Sequence, residues 1–232
     1  MTRPLTVGFL HQGRPGSGVG RYGRILASGA AARDDLRVIE VAADDGGGLR
    51  GLAAAAGALR AADVVALQWK LADWGGLRAA LPRLELVLRR CGRPVVVTLH
   101  DVYVPETRIE RLGPAAIALR RLAGGADALI VHADEEVRRL RATVRTDRVA
   151  VIPHFVESLP TLPPREEAKA ALGLAGRRVV TLQGYIVRRK GHRLAIEALR
   201  ELPDDVTLVI AGTTIEGREA RARELEIGRA HV

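Results

Sequence analysis

The sequence is short of several things, and each shortage removes a class of explanation. It has one cysteine, Cys91, so neither an internal disulfide nor a thiolate metal cluster can form. That fits a reducing compartment and leaves Cys91 inert. Aromatic residues make up only 3%, too few for the stacking platforms on which single-stranded nucleic acids lie. No apolar run approaches the roughly 20 residues that cross a bilayer, and Met1-Thr2-Arg3-Pro4 leads straight into a strand-like segment, not a signal peptide. A cytoplasmic location is expected. Lysine is the last shortage: of 36 basic residues only Lys70, Lys169 and Lys190 are not arginine.

The net charge of +9 first suggests a nucleic-acid partner. The arginines, however, are spread over almost every helical segment alongside abundant alanine and glycine, a pattern of coding bias with no single binding tract. No nucleic-acid partner is expected. A residual basic surface would still favour peripheral contact with anionic lipid at the inner membrane face.

What the chain does have is regular alternation. Its 232 residues, 47% hydrophobic and 27% charged, suit a globular protein of one or two domains. Strand-sized apolar runs (5–11, 36–41, 64–69, 94–99, 128–132 and 149–152) alternate with helix-period segments (19–32, 49–61, 77–90, 113–123 and from 134). In the first helix Ile25, Leu26 and Gly29 are expected to face inward. Strands apolar on both faces and separated by helices predict an α/β fold with a Rossmann-like parallel sheet.

Residues 1–156 form the expected N-terminal domain, and the proline-rich 157–164 reads as a stiff linker. Alternation restarts over 165–225 with helices 165–172 and 192–202 and strands 179–184 and 206–211. Two strands bury too little to stand alone, so the second Rossmann-like domain reads as incomplete. Residues 226–232, Glu-Ile-Gly-Arg-Ala-His-Val, match what a common sequencing-adapter oligonucleotide would encode, so a non-native tail and a C-terminally truncated chain are expected.

Ligands of parallel sheets bind beyond the carboxyl ends of the strands. The first such loop, His11 to Gly23, carries Gly16, Gly18 and Gly20 ahead of a helix whose amides favour an anion or a sugar hydroxyl. Gly18 to Gly23 also satisfies G-x-G-x-x-G with Glu40 downstream, but the glycines start several residues after the strand and Glu40 falls inside the next one. His100-Asp101 ends the apolar run Val-Val-Val-Thr-Leu, placing an imidazole at the sheet edge beside a carboxylate that would orient it. His132 and His154 also follow apolar strands. Three such histidines raise a metal, yet no spacing matches a helical i, i+4 pair or a Cys/His set, so no metal is expected. In the second domain, Arg188 and Lys190 offer charge to a diphosphate and Gly191 allows close approach at a helix start.

Taken in order, these segments resemble the GT-B glycosyltransferases, specifically the large retaining family 4 (GT4) that includes bacterial mannosyl- and glucosyltransferases. The resemblance is carried by Val19-Gly20-Arg21-Tyr22, by Val-Val-Thr-Leu-His-Asp at 96–101, by 126–132, by Val-Ile-Pro-His at 151–154, by Gly184 to Gly191 and by Leu-Val-Ile-Ala-Gly at 208–212. It implies transfer of a sugar from a nucleotide-diphosphate sugar, the co-substrate in place of a cofactor, to an unknown sugar, lipid or small-molecule acceptor. His100 would contact the donor sugar near the reacting carbon, with Asp101 behind it. Arg188 and Lys190 would hold the diphosphate, and Gly16, Gly18 and Gly191 would line the donor. The resemblance implies no metal. The loops holding Gln68-Trp69 and Trp74 would shape the acceptor side. The family's late acidic pair is missing, since Glu216 and Glu224 have its spacing but stand too near Lys190, and the truncated chain is expected to be inactive. Two readings of other kinds stay open: a non-catalytic nucleotide-binding module and an NAD(P)-dependent oxidoreductase.

Overall fold

The computed structural model describes residues 3–12, 17–43, 48–102, 104–105, 107, 110, 112–156, 161–187 and 190–214. The chain divides into two compact units, Met1–Val156 and Glu157–Val232.

In the first unit the elements run β1 (Leu5–Gln12), α1 (Gly18–Ala31), β2 (Leu36–Ala43), α2 (Gly48–Ala58) with a 3-10 turn at Leu59–Ala61, and β3 (Val64–Trp69). They continue with α3 (Gly76–Cys91), β4 (Val95–Leu99), α4 (Pro114–Gly125), β5 (Ala128–Val131), α5 (Asp134–Arg141) and β6 (Val149–Val151). All six strands pair in parallel in the order β2-β1-β3-β4-β5-β6. Parallel neighbours need crossovers, and the helices supply them. The central strands are the most apolar because both their faces are covered: Val65, Leu67, Val95, Val97, Leu99, Leu129 and Val131 are all buried. Helices α2, α3 and α4 pack in a row, while α1 lies over β1, β2 and β3.

The buried face of α1 differs from the sequence expectation. Val19, Gly20, Tyr22, Gly23 and Ala27 are buried, whereas Ile25 and Leu26 are half-exposed and Gly29 is exposed. A helix pressed against strand ends needs small residues and one flat ring there, so the apolar stripe is turned outward from the tightest contact. Ser17 caps this helix, its Oγ accepting from the Gly20 N–H at 2.9 Å.

One device fastens the sheet twice. Before β3, the Asp63 N–H donates to the Thr6 carbonyl at 2.8 Å and the Asp63 carboxylate accepts the Thr6 N–H at 2.8 Å. Before β5, Asp127 does the same with Val95, at 2.8 and 2.7 Å. In both cases a buried alanine, Ala62 or Ala126, precedes the aspartate, so each Ala-Asp pair pins its strand to the neighbour's start. The Thr6 N–H, with Arg3 beside it, holds the Asp63 carboxyl below its ordinary range. Since the folded pKa lies below the unfolded value of about 3.9, this contribution is complete above that pH and is lost as pH falls through the folded pKa. Thermal melts from about pH 5 to about pH 3 should therefore show a shallower acid loss for Asp63→Asn than for the unaltered chain. Parallel losses would show that the carboxylate is not the group responsible.

The second unit contains α6 (Arg165–Ala171), β7 (Arg178–Gln183), α7 (His192–Leu199) and β8 (Val206–Ala211), with β7 and β8 paired in parallel. Helix α7 ends three residues before the expected Leu202, where the chain turns ahead of Pro203. Among the described residues of this unit no hydrophobic side chain is buried, and Leu172 and Leu194 are about 70% exposed. Two strands and two short helices enclose too little volume for a core of their own. No helix among the described residues is long and apolar enough to cross a membrane.

Candidate functional site

The first sheet changes its direction of growth at β1: β2 adds on one side of it, and β3 on the other. At such a switch point the two following connections part, and a crevice opens beyond the carboxyl ends of the strands. Gln12 ends β1 here with its Oε1 buried and unpartnered, and Gln68-Trp69 ends β3. Helix α1 starts at the same edge and approaches closely. A Cβ on Gly23 would meet Gln68 Cγ at 3.1 Å and His11 Nδ1 at 3.2 Å, so a larger residue there would push these side chains by a few tenths of an ångström.

The register across β4, β5 and β6 then decides what faces the crevice. Thr98 pairs with Ile130, so two residues later His100 stands level with His132 on strands that lie about 4.8 Å apart. Val131 pairs with Val151, which sets His132 level with Ile152 and puts His154 two residues beyond. The three imidazoles gather there, with ring centroids 5.3 Å (His100 to His132), 4.9 Å (His132 to His154) and 6.4 Å (His100 to His154) apart. Tyr22 of α1 packs against all three at 4.7 to 5.4 Å and stacks on Phe155. Burial pushes the Tyr22 hydroxyl pKa up, so it stays protonated.

Each imidazole is oriented by a carbonyl. His100 Nε2 donates to Gln68 Oε1 at 2.8 Å, His132 Nδ1 to the Ile152 carbonyl at 3.0 Å, and His154 Nδ1 to the Phe155 carbonyl at 3.0 Å. A neutral imidazole carries one N–H, so these bonds leave Nδ1 of His100 and Nε2 of His132 and His154 as lone-pair acceptors. The His132 backbone is itself held: Glu136, in the first turn of α5, accepts its N–H at 2.6 Å. Burial, followed by the neighbouring His132, His154 and Lys70, pushes the His100 pKa down to about 4. His100 is thus a neutral acceptor at physiological pH and not a cation.

Beside this cluster a cavity of about 410 Å³ lies against Trp69, Asp101 and Val102, with mostly apolar walls from Leu71 and Ala72 in the loop after β3 and from Ala115 and Leu119 of α4. Asp101 is exposed, and the orienting partner of His100 is Gln68 rather than the adjacent carboxylate, because the chain turns away from the sheet directly after His100. Trp69 and Trp74 are both buried and pack on each other, with centroids 5.2 Å apart. Trp74 therefore belongs to the core, and only Trp69 touches the cavity. Glu40 lies within β2 and bonds His11 Nε2 at 2.9 Å. Consecutive strand ends deliver the three rings to one place, a proximity that no local spacing in the sequence announces.

Other expected site residues fall as follows. Gly18 opens α1, and open space surrounds the position its Cβ would take. Gly16 and Arg188 lie outside the described residues, as do Glu216, Glu224 and 226–232. In the second unit Gly191 caps α7 at φ 72°, a left-handed conformation that favours glycine. Lys190 is exposed, and its Nζ lies 4.0 Å from where a Cβ on Gly184 would be, at the carboxyl end of β7. Among the described residues no ion-pair partner neutralises it. Sequence reasoning missed the role of Gln68 toward His100 and the packing role of Tyr22 and Gly23. The one signal for Gln68 was a polar residue inside an apolar strand.

The six-stranded Rossmann-like parallel sheet, followed by a second βα unit, matches solved structures of the GT-B fold. Anabaena HepE, solved in complex with UDP and glucose, is similar to this chain with a TM-score of 0.68 at 19% identity, over 97% of this chain and 65% of that one. HepE solved with UDP-glucose matches at 0.67 with the same identity and coverage. A UDP-N-acetylglucosamine 2-epimerase matches at 0.54 and 11% identity, over 99% of this chain and 68% of that one. These are likenesses of fold, and the chain spans 65% of the HepE chain. No family model and no curated protein matches the sequence.

Proposed function

We propose that the protein is a glycosyltransferase of the retaining GT4 type, moving a sugar from a nucleotide-diphosphate sugar to an acceptor. The observation that carries this reading is His100, held in one tautomer by Gln68 at the carboxyl edge of a GT-B sheet. Its Nδ1 accepts a hydroxyl proton of the donor sugar. The start of α1, with Gly18, receives a hydroxyl or phosphate oxygen on unpaired amides. In the second unit Lys190, with Arg188 and Gly191, takes up the charge that develops on the departing diphosphate. The apolar cavity beside Trp69 and Asp101 takes the acceptor. That HepE holds UDP-glucose on the same fold supports a nucleotide-sugar donor.

Calorimetric titration of the chain with UDP-glucose tests the donor site. His100→Ala and Lys190→Ala are each expected to weaken binding about tenfold or more, roughly 1.4 kcal/mol. Unchanged affinity in both variants overturns the assignment, and binding of NAD(P) in place of UDP-glucose selects the oxidoreductase reading.

A further inference from the structure

His100, His132 and His154 are brought together by three neighbouring strands, and one ring nitrogen of each lies within 4.8 Å of the others. Their hydrogen bonds match those of metal-binding histidines, which tie one nitrogen to a carbonyl or carboxylate and turn the other toward the ion. Here Gln68 Oε1 and the carbonyls of Ile152 and Phe155 take the N–H groups, leaving three lone pairs. The His132 Nε2 lone pair is buried with no hydrogen-bond partner, a costly state that an ion would relieve.

We propose that these three histidines form a binding site for a borderline divalent transition metal, Zn²⁺ above all. Zinc takes imidazole nitrogens at about 2.0–2.1 Å in a tetrahedral set, which places them roughly 3.3 Å apart. With one nitrogen of each ring within 4.8 Å of the others, closing on an ion asks for a shift of at most about 1.5 Å in any pair, the scale of a side-chain rotation. Three protein ligands leave the fourth position open to an oxygen donor, as in catalytic zinc sites. With no carboxylate in the set, hard cations that demand oxygen ligands, Mg²⁺ and Ca²⁺, are poor occupants. The site shares His100 Nδ1 with the proposed donor contact, so an ion and a donor hydroxyl exclude one another at that nitrogen; zinc binding needs no nucleotide-sugar and is measured in its absence.

Chelator-stripped full chain, free of any histidine tag, is titrated with Zn²⁺ in competition with a chromophoric chelator, and with Co²⁺ followed by visible absorption. One equivalent of Zn²⁺ should bind, and Co²⁺ should give the intense absorption of a four-coordinate site. His132→Ala and His154→Gln should each weaken binding by about 100-fold or more, given that even outer-shell changes cost roughly 10–100-fold. His154 is exposed, so His154→Gln keeps the fold if His132→Ala does not. His11→Ala, at the end of β1, should bind as the unaltered chain does. Less than one equivalent of Zn²⁺, or unchanged affinity in His154→Gln, overturns the site.

Discussion

Gly212→Ala is expected to break the sheet of the second unit while leaving the first intact. A Cβ at residue 212 would lie 1.8 Å from the Gly184 carbonyl oxygen and 2.8 Å from its carbon, distances that backbone atoms cannot yield without moving. Gly184, at φ 116°, and Gly212 follow directly after β7 and β8, so the two strand ends touch through bare backbone. Moving them apart strains the bonds from Gly184 N–H to the Ala211 carbonyl (3.0 Å) and from Ile186 N–H to the Thr213 carbonyl (2.9 Å). At about 1 kcal/mol net for each bond, the loss is roughly 2 kcal/mol before backbone strain is added. The unit has no buried apolar core among its described residues to offset this. Hydrogen exchange read by mass spectrometry should lose protection across β7 and β8 and keep it across β3 and β4. Retained protection in β7 and β8 would show that the close approach does not exist.

Trp74→Ala carries the largest expected cost in the first unit, about 3–5 kcal/mol. Trp74 is fully buried, packs on Trp69 and donates its indole N–H to the Gln68 carbonyl at 3.0 Å. Gln68 in turn holds His100, so the ring supports the strand end from which the site is built. Urea unfolding followed by the fluorescence of Trp69, the other of the two tryptophans, measures the loss. Trp74→Phe keeps most of the buried area but leaves an indole partner missing, and should cost about 1–2 kcal/mol. A loss below about 1 kcal/mol for Trp74→Ala would contradict the burial and place the loop outside the core.

Much of the fold is legible in the residues themselves. β3 and β8 have the limits that their apolar runs predict, and the α/β class with parallel strands follows from strands apolar on both faces. The inward face of α1 was not legible, because periodicity finds the most apolar stripe. The actual contact is made by Tyr22 and Gly23 against strand ends, where small size and ring shape outweigh hydrophobicity. In the candidate site His100 is visible as a polar residue ending a buried strand. Gln68, 32 residues earlier, is not, since its bond to His100 exists only once β3 and β4 are neighbours in the register Gln68 to Thr98.

The same division explains the histidines. Local order and hydrophobic pattern suffice to place His100, His132 and His154 each just after a strand, because those depend on interactions within a few residues. Whether the three rings meet depends on strand order, parallel direction and register, which are set by packing across the whole sheet. The sequence by itself therefore determined the alternating elements, the sparing use of cysteine and aromatic rings, and the residues available for chemistry. The tertiary structure alone decided that three strand ends deliver their imidazoles to one point, with Tyr22 packed on them and Gln68 fixing the first.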